Sequence, residues 1–361
     1  MWVGIRTGIW LWMLGTAWLS GVDAGRRASD PVGWVIDRLV KWDSDYFVGI
    51  ARHGYNSTGA TCCDQAFFPG YPLTIRALAP LFGDARIAAL AIPLVAGAVA
   101  AIMLWRITVD EFGTSAGRHA VALLAVGPYG IFLSLAYSES LFLALALAAW
   151  YSARRQRWWW AGIAASAAAL VRVNGVFIAV ALAVMWIAVR RRDRATPRSA
   201  PLALLLPFAS AGAYLWYVQS RSWPSWTQAQ SSAWDRRVGW PWDGFAWSWR
   251  WLTAQPALDL RIAGVVETLV VLAGVALVVW LARRRRWPEF VYVGLSVGAL
   301  LFSNRFLSSP RLSVLWFPAF VLGGAWLARS GHRRWSLYVY AASIVGLAAT
   351  SLAFAAHMWV S

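Results

Sequence analysis

Long apolar stretches separated by clusters of arginine run through most of this chain. Of its 361 residues, 60% are hydrophobic and 14% are charged. Apolar stretches long enough to cross a hydrocarbon core of ~30 Å recur along the length. The pattern predicts an all-α polytopic membrane protein, integral and multi-pass.

The basic residues orient the predicted helices. There are 33 Lys and Arg against 16 Asp and Glu, and the arginines fall between apolar segments, as at cytoplasmic turns. Four such turns are expected at 154–157, 190–192, 283–286 and 333–334. We expect no nucleic acid partner, because no charged domain is present to bind one.

Two apolar stretches are too long for one span. Residues 158–189 as a single helix would run ~48 Å, which favours a hairpin with an outer turn at Arg172–Gly175. Residues 120–153 are interrupted at Tyr137–Ser140, another outer turn. The sequence therefore predicts eleven spans near 8–22, 86–106, 119–136, 139–153, 158–171, 174–190, 199–218, 261–282, 288–303, 311–328 and 335–357.

This topology places the N-terminus inside, the C-terminus outside, and residues 1–361 in one membrane domain. Residues 23–66 and 219–260 become the two large outer loops. Segment 66–82 is expected to be re-entrant or interfacial, because it carries Arg76 and three prolines. The first span is expected to be retained, since no convincing small-residue cleavage site follows it.

The first outer loop contains two carboxylates, Asp43 and Asp45, and an imidazole, His53. Carboxylates at the membrane surface are well placed to take a proton from a sugar hydroxyl. A helix cap for Asp43 and a solvated surface acid for Asp45 are the structural alternatives.

Four segments in order resemble the motifs of the PIG-V-like mannosyltransferases. The first is Trp42-Asp43 with Ile-Ala-Arg-His-Gly-Tyr at 50–55 and Ala66–Pro72. The second is Ala136–Phe142, the third is Val171–Gly175, and the fourth is Asn304-Arg305-Phe306 with Pro310.

This resemblance implies a GT-C glycosyltransferase with about eleven transmembrane helices and juxtamembrane helices in the first outer loop. It implies a polyprenyl-phosphate sugar donor, typically mannose, and a lipid-linked or glycan acceptor on the non-cytoplasmic face. Transfer would invert the anomeric carbon, with Asp43 as general base and Asp45 sharing that work. Trp42 and Tyr46 are expected substrate contacts.

Arginines are the best candidates for the donor phosphate, because guanidinium offers a bidentate fork. We predict Arg172, Arg305 and Arg311 in this role, with His53 as a further contact; snorkelling to headgroups is the alternative. Glu139 and Asn174 are predicted substrate contacts, although a carboxylate at a helix start also has a structural explanation. Glu267, an acid within a predicted span, is either a site residue or an arginine partner.

Loop 219–260 holds eight Trp residues. Flat aromatic faces and amides suit a sugar acceptor, which makes Gln230 and Trp234 candidate contacts. An aromatic belt at the membrane interface explains the same tryptophans.

No cofactor is required by the sequence, and a divalent cation held by Asp43 and Asp45 is left open. A donor sugar such as arabinose or glucose is the nearest alternative. A transporter usually shows repeated halves with broken helices, and no internal duplication is visible. A polyprenyl-lipid flippase or a non-catalytic assembly subunit would keep the fold and lose the carboxylates, whereas Asp43 and Asp45 are both present. The membrane is the plasma membrane in a prokaryote and the endoplasmic reticulum in a eukaryote.

Overall fold

The computed structural model describes residues 2–21, 23–56, 63–192, 199–221, 223–255, 257–329, 331–356, 358 and 360. Within these ranges the secondary structure is helical apart from one isolated β-bridge between Val238 and Ser303. The all-α prediction is confirmed. The helices are α1 Trp2–Leu19, α2 Ala24–Ser29, α3 Pro31–Leu39, α4 Asp43–His53, α5 Gly70–Phe82, α6 Ala85–Val126, α7 Glu139–Arg154, α8 Trp158–Val171, α9 Asn174–Arg192, α10 Ala200–Ser220, α11 Trp226–Trp234, α12 Pro241–Ala254, α13 Leu258–Arg283, α14 Trp287–Leu301, α15 Ser309–Ser313, α16 Phe317–Leu327 and α17 Arg333–Ala355.

Five helices in the described ranges are long and apolar enough to cross a membrane: α6, α9, α10, α13 and α17. Three shorter apolar helices, α8, α14 and α16, accompany them. Segment 66–82 forms α5, which at 13 residues is about 20 Å long and too short to span. The first outer loop carries the three short helices α2, α3 and α4, as predicted.

The structure corrects two predicted spans. The span predicted at 119–136 ends at Val126, because Gly127 and Pro128 follow and proline cannot donate to a continuing helix. The helix also starts earlier than residue 119. The reason is that α6 consists of two helical segments joined at Gly113, whose φ of 84° is left-handed. The span predicted at 311–328 is divided into α15 and α16, with Pro318 in the first turn of α16.

The predicted hairpin at 158–190 is confirmed as two helices, α8 and α9, separated at Arg172 and Val173. Residue contacts divide the chain into two compact units. The first contains Met1–Arg52, Thr74–Ala144 and Phe317–Val360. In it α6 packs against α1, α16 and α17. Gly324 permits the close approach of α16, because a Cβ there would lie 2.5 Å from the Ala116 carbonyl oxygen.

The second unit contains His53–Leu73 and Leu145–Trp316. In it α8 packs against α9 and α10, α14 packs against α9 and α13, and α12 lies on α13. Gly162 brings α8 to α10, since a Cβ at this position would lie 2.2 Å from the Ala203 carbonyl oxygen. The prediction of one domain over residues 1–361 stays a prediction.

Candidate active site

The two acids of the first outer loop begin α4. Trp42 has a left-handed φ of 58°, so the chain turns sharply and Asp43 becomes the first helical residue. The Asp45 amide donates to the Trp42 carbonyl at 3.0 Å. The positive end of a helix dipole favours carboxylates in its first turn. Asp43 is half-buried and Asp45 is exposed, so both acids are reachable from solvent.

The turn before α4 is fixed by the residue that precedes Trp42. The Lys41 ammonium donates to the carbonyls of Phe354 and Ala355 at 3.3 and 3.4 Å, at the carboxyl end of α17. The Trp42 ring packs edge-on against Phe354 with centroids 5.0 Å apart. Burial, with the nearby positive charge of Arg38, lowers the Lys41 pKa to about 8.

Lys41 was not predicted as a site residue, although the sequence carries a signal for it. It is the only lysine in the chain, where every other basic residue besides histidine is arginine. Lysine, unlike arginine, can lose its charge when buried. An arginine would supply the positive charge at position 41 equally well, so the single lysine indicates a local role for this side chain.

Asp45 titrates in a perturbed environment. Burial of the carboxyl, followed by the negative charge of Asp37, raises the Asp45 pKa, although part of the side chain remains accessible. Asp37 is itself held by Arg26 at 2.8 Å and by Arg86 at 3.4 Å. A carboxylate with a raised pKa is the stronger base. Proton acceptance therefore remains chemically open to Asp45 as well as to Asp43.

The carboxyl end of α4 is also tied down. Arg52 pairs with Asp84 at 3.0 Å, and Asp84 pairs with Arg86 at 3.2 Å and accepts the Arg86 amide at 2.6 Å. These partly exposed pairs contribute little stability individually. They nevertheless link α4 to the start of α6, which limits the orientations open to the acids.

The second motif meets the first directly. The Tyr137 hydroxyl donates to the Lys41 carbonyl at 3.2 Å, and Ser140 donates to the Leu133 carbonyl at 3.2 Å. Glu139 is the first residue of α7 and is fully buried. The predicted substrate contact thus lies beneath the surface, where the helix dipole favours its charge.

In the second unit, the Ala66–Pro72 part of the first motif lies on the third motif. A Cβ at Gly70 would come within 2.8 Å of the Leu170 carbonyl and the Val171 amide, so only glycine permits this approach. The chain then leaves α8 in an extended Arg172 and starts α9 at Asn174. The Arg172 guanidinium is close enough to interact electrostatically with the Tyr292 hydroxyl of α14. Both Arg172 and Asn174 are half-buried.

The fourth motif is paired with the loop that follows α11. The Arg305 guanidinium forms an ion pair with Asp235 and lies over the Trp247 ring at 5.0 Å. Asp235 also pairs with Arg237, whose hydrogen bond holds the Asp235 pKa below its ordinary value. Sequence reasoning assigned no role to Asp235 or Arg237, because this contact joins residues 70 positions apart.

The remaining predicted residues lie on α4, α13 and α15. Arg311 lies in α15, half-buried, and His53 is exposed at the end of α4. Glu267 is fully buried in α13, where its carboxylate accepts the Ser308 amide at 3.1 Å. Glu267 therefore supports the turn that follows Arg305.

Gln230 and Trp234 pack against the protein. The Gln230 amide donates to the Ala66 carbonyl at 3.5 Å, and the Trp234 ring meets Phe67 edge-on at 5.5 Å. The Tyr214 hydroxyl donates to the Gln65 and Phe67 carbonyls at 2.8 and 2.9 Å. These contacts hold the 64–67 segment, and the acceptor-binding role of Gln230 and Trp234 stays a prediction. Tyr46 lies half-exposed on α4.

Among the residues that the structure describes, no group of three His, Cys, Asp or Glu side chains is arranged to hold a metal ion. The divalent cation at Asp43 and Asp45 stays a hypothesis.

Residues 29–194 match the family model described as Mannosyltransferase (PIG-V). The resemblance to the PIG-V mannosyltransferases is thereby confirmed. The matched region contains the first three motifs and both acids of α4. The fourth motif, with Arg305, lies outside it.

Similar proteins of known name are GPI mannosyltransferases. The chain is 31% identical over 160 residues to GPI alpha-1,6-mannosyltransferase 2 of Mus musculus, covering 41% of this chain and 32% of the mouse protein. It is 31% identical over 144 residues to GPI mannosyltransferase 2 of Yarrowia lipolytica, covering 39% and 38%. The match thus spans about a third of the length of these PIG-V relatives.

Among solved structures, the fold is similar to the crystal structure of ArnT from Cupriavidus metallidurans bound to undecaprenyl phosphate. The TM-score is 0.57 at 13% identity, covering 98% of this chain and 71% of ArnT. At this identity the similarity concerns the fold alone. The predicted GT-C-like architecture is confirmed.

Proposed function

We propose that this protein is a mannosyltransferase that uses a polyprenyl-phosphate mannose donor and a lipid-linked or glycan acceptor at the membrane. The observation that carries the proposal is the pair of accessible acids at the amino end of α4, within the region that matches the mannosyltransferase family. The relatives named above are mannosyltransferases by name. ArnT, which has the same fold, is described as bound to undecaprenyl phosphate.

In the proposed reaction, Asp43 accepts the proton of an acceptor hydroxyl while that oxygen forms a bond to the anomeric carbon. The bond between the anomeric carbon and the phosphate oxygen breaks, and the polyprenyl phosphate leaves with the bonding electrons. Attack from the opposite side inverts the configuration. Guanidinium groups stabilise the phosphate charge, as predicted for Arg172, Arg305 and Arg311.

Substitution of the base gives the first test. Asp43→Asn keeps the shape and hydrogen bonding of the side chain but cannot accept a proton, so turnover should fall ~10²–10⁴-fold while donor binding survives. Asp45→Asn should cost less. The measurement is the initial transfer rate from polyprenyl-phosphate mannose, with donor binding measured for each variant.

Two outcomes would count against this assignment. A larger loss from Asp45→Asn than from Asp43→Asn would reverse the two roles, which the raised Asp45 pKa makes chemically reasonable. Near-normal rates in both variants would remove the base role from this loop, and a wild-type protein that transfers no mannose would overturn the enzyme proposal. Donors carrying arabinose or glucose, run in parallel, test the choice of mannose.

A further inference from the structure

We propose that Arg237 and Arg305 together bind the phosphate group of the polyprenyl donor, and that the Asp235 carboxylate competes with this phosphate for both guanidinium groups. The inference rests on the proposed function, because it adds a second phosphate-binding arginine and a competing carboxylate to the donor phosphate site. It uses contacts within one compact unit.

Two guanidinium groups converge on one carboxylate. Arg237 donates from Nε and Nη2 to Oδ1 of Asp235, the first at 3.0 Å, and Arg305 donates from Nη2 to Oδ2. Two arginines on separate oxygens of one anion also suit a phosphate, which offers more oxygens than a carboxylate.

Arg305 has donor capacity that Asp235 does not use. Its Nε is buried and has no hydrogen-bond partner in the structure, although Nη2 is bound. A guanidinium presents Nε and Nη2 as one fork, and a buried unpaired N–H is costly. An anion that takes both nitrogens is therefore a better match for Arg305 than the present single contact.

Hydrogen bonds of Asn304 link the two backbone segments around this anion site. Asn304 accepts the Arg237 amide at 2.8 Å through its side-chain oxygen and donates to the Asp235 carbonyl at 2.8 Å. Its own amide donates to the Arg237 carbonyl at 3.0 Å. The asparagine before Arg305 therefore has a structural role, because its hydrogen bonds hold residues 235–237 beside that arginine.

Packing fixes the rest of the site. Trp247 lies under the Arg305 guanidinium, and a Cβ at Gly244, one turn earlier in α12, would lie 2.4 Å from the Phe306 ring. Helix α12 can therefore pack tightly on the fourth motif and hold Arg305 in place.

The adjacent Arg236 supplies a matched control. Its guanidinium donates to the Leu307 carbonyl at 2.7 Å, whereas the Arg237 guanidinium binds Asp235. The two residues have the same charge and neighbouring positions, so a general electrostatic effect would be equal for both.

Asn is the informative replacement at position 235. Asp235 has a left-handed φ of 48°, which asparagine tolerates better than most residues. Asp235→Asn therefore removes the charge and preserves the backbone. Hydrogen bonds with Arg237 and the charge of Arg305 lower the Asp235 pKa, so the wild-type competitor is ionised at neutral pH.

The experiment titrates the purified full chain in detergent with undecaprenyl phosphate, which needs no catalysis. Asp235→Asn should bind several-fold more tightly than wild type, because the internal competitor is neutral. Arg237→Gln should bind about tenfold more weakly, the usual worth of a hydrogen bond to a charged group. Arg236→Gln should bind as wild type does. Titration with inorganic phosphate separates recognition of the lipid from that of the bare anion.

If Asp235→Asn unfolds at the wild-type temperature but binds undecaprenyl phosphate no more tightly than wild type, the proposal that Asp235 competes with the phosphate is overturned. Equal losses in Arg236→Gln and Arg237→Gln would overturn the assignment of Arg237. Failure of the mannosyltransferase proposal looks different: wild type would bind undecaprenyl phosphate without transferring mannose. Wild type that binds no undecaprenyl phosphate would overturn both.

Discussion

Arg172 combines a charged side chain with a structural position at the end of a helix. Its amide donates to the Ala168 carbonyl at 2.9 Å, and its carbonyl accepts the Gly175 amide at 2.9 Å, so its backbone joins α8 to α9. Neither backbone bond depends on the side chain. A conservative substitution can therefore separate phosphate binding from folding.

Arg172→Lys should remain folded and lose transfer activity. The ammonium keeps the charge but lacks the planar fork that holds two phosphate oxygens. The loss should appear as a higher KM for polyprenyl-phosphate mannose, with an unchanged unfolding temperature. An unchanged transfer rate with normal donor saturation would return Arg172 to a role in anchoring the helix end at the headgroups.

At the scale of elements, the turn that carries Asp43 depends on the carboxyl end of α17. The Lys41 ammonium binds two of the last carbonyls of that helix, which have no partner within the helix and carry partial negative charge. An element more than 300 positions away in sequence thus sets the position of the first motif.

Stability should rise with pH in the range where Lys41 titrates. Its pKa is about 8 in the folded protein and 10.5 ordinarily. Between these values the unfolded chain binds more protons than the folded chain, so raising the pH favours the folded state. No other lysine is present to titrate in this range.

Thermal unfolding in detergent from pH 7.5 to 10 measures this effect. Lys41→Met, which keeps the length of the side chain, should remove the part of the rise that Lys41 causes. Identical pH profiles for wild type and Lys41→Met would show that burial does not lower the Lys41 pKa.

At the scale of the whole molecule, the distribution of arginine predicts which turns face the cytoplasm. The helix ends near 154, 192 and 283 each carry arginines in their last turn, as the positive-inside rule requires of cytoplasmic ends. We therefore predict that the turns before α7 and between α8 and α9 face the other side.

Single cysteines at positions 43, 172 and 305, introduced in a background lacking Cys62 and Cys63, test this topology. An impermeant thiol reagent applied from outside should label all three positions in intact cells, and a cysteine placed in the 190–192 cluster should react only after permeabilisation. Labelling of position 172 only after permeabilisation would contradict the hairpin of α8 and α9.

Much of the architecture was readable from the sequence. The span predicted at 158–171 matches α8, and the starts predicted at 139 and 174 match α7 and α9. These boundaries follow from local chemistry, since a polar residue or proline cannot continue an apolar helix without cost. The motifs were likewise visible as residue types in order.

The sequence could not show which residues far apart in the chain contact one another. Arg6 illustrates this: from within α1 its guanidinium binds the Ala125 and Gly130 carbonyls at 3.1 and 2.7 Å, where α6 ends. Nothing local to Arg6 indicates that partner.

The sequence by itself determined the class, several helix boundaries and the motif residues, because hydrophobicity, charge and helix termination act locally along the chain. Only the tertiary structure decided that Lys41 holds the turn before Asp43, that Asp235 binds both Arg237 and Arg305, and that Gln230 and Trp234 contact residues 66 and 67. Those contacts join segments far apart in sequence, so they exist only once the helices have packed.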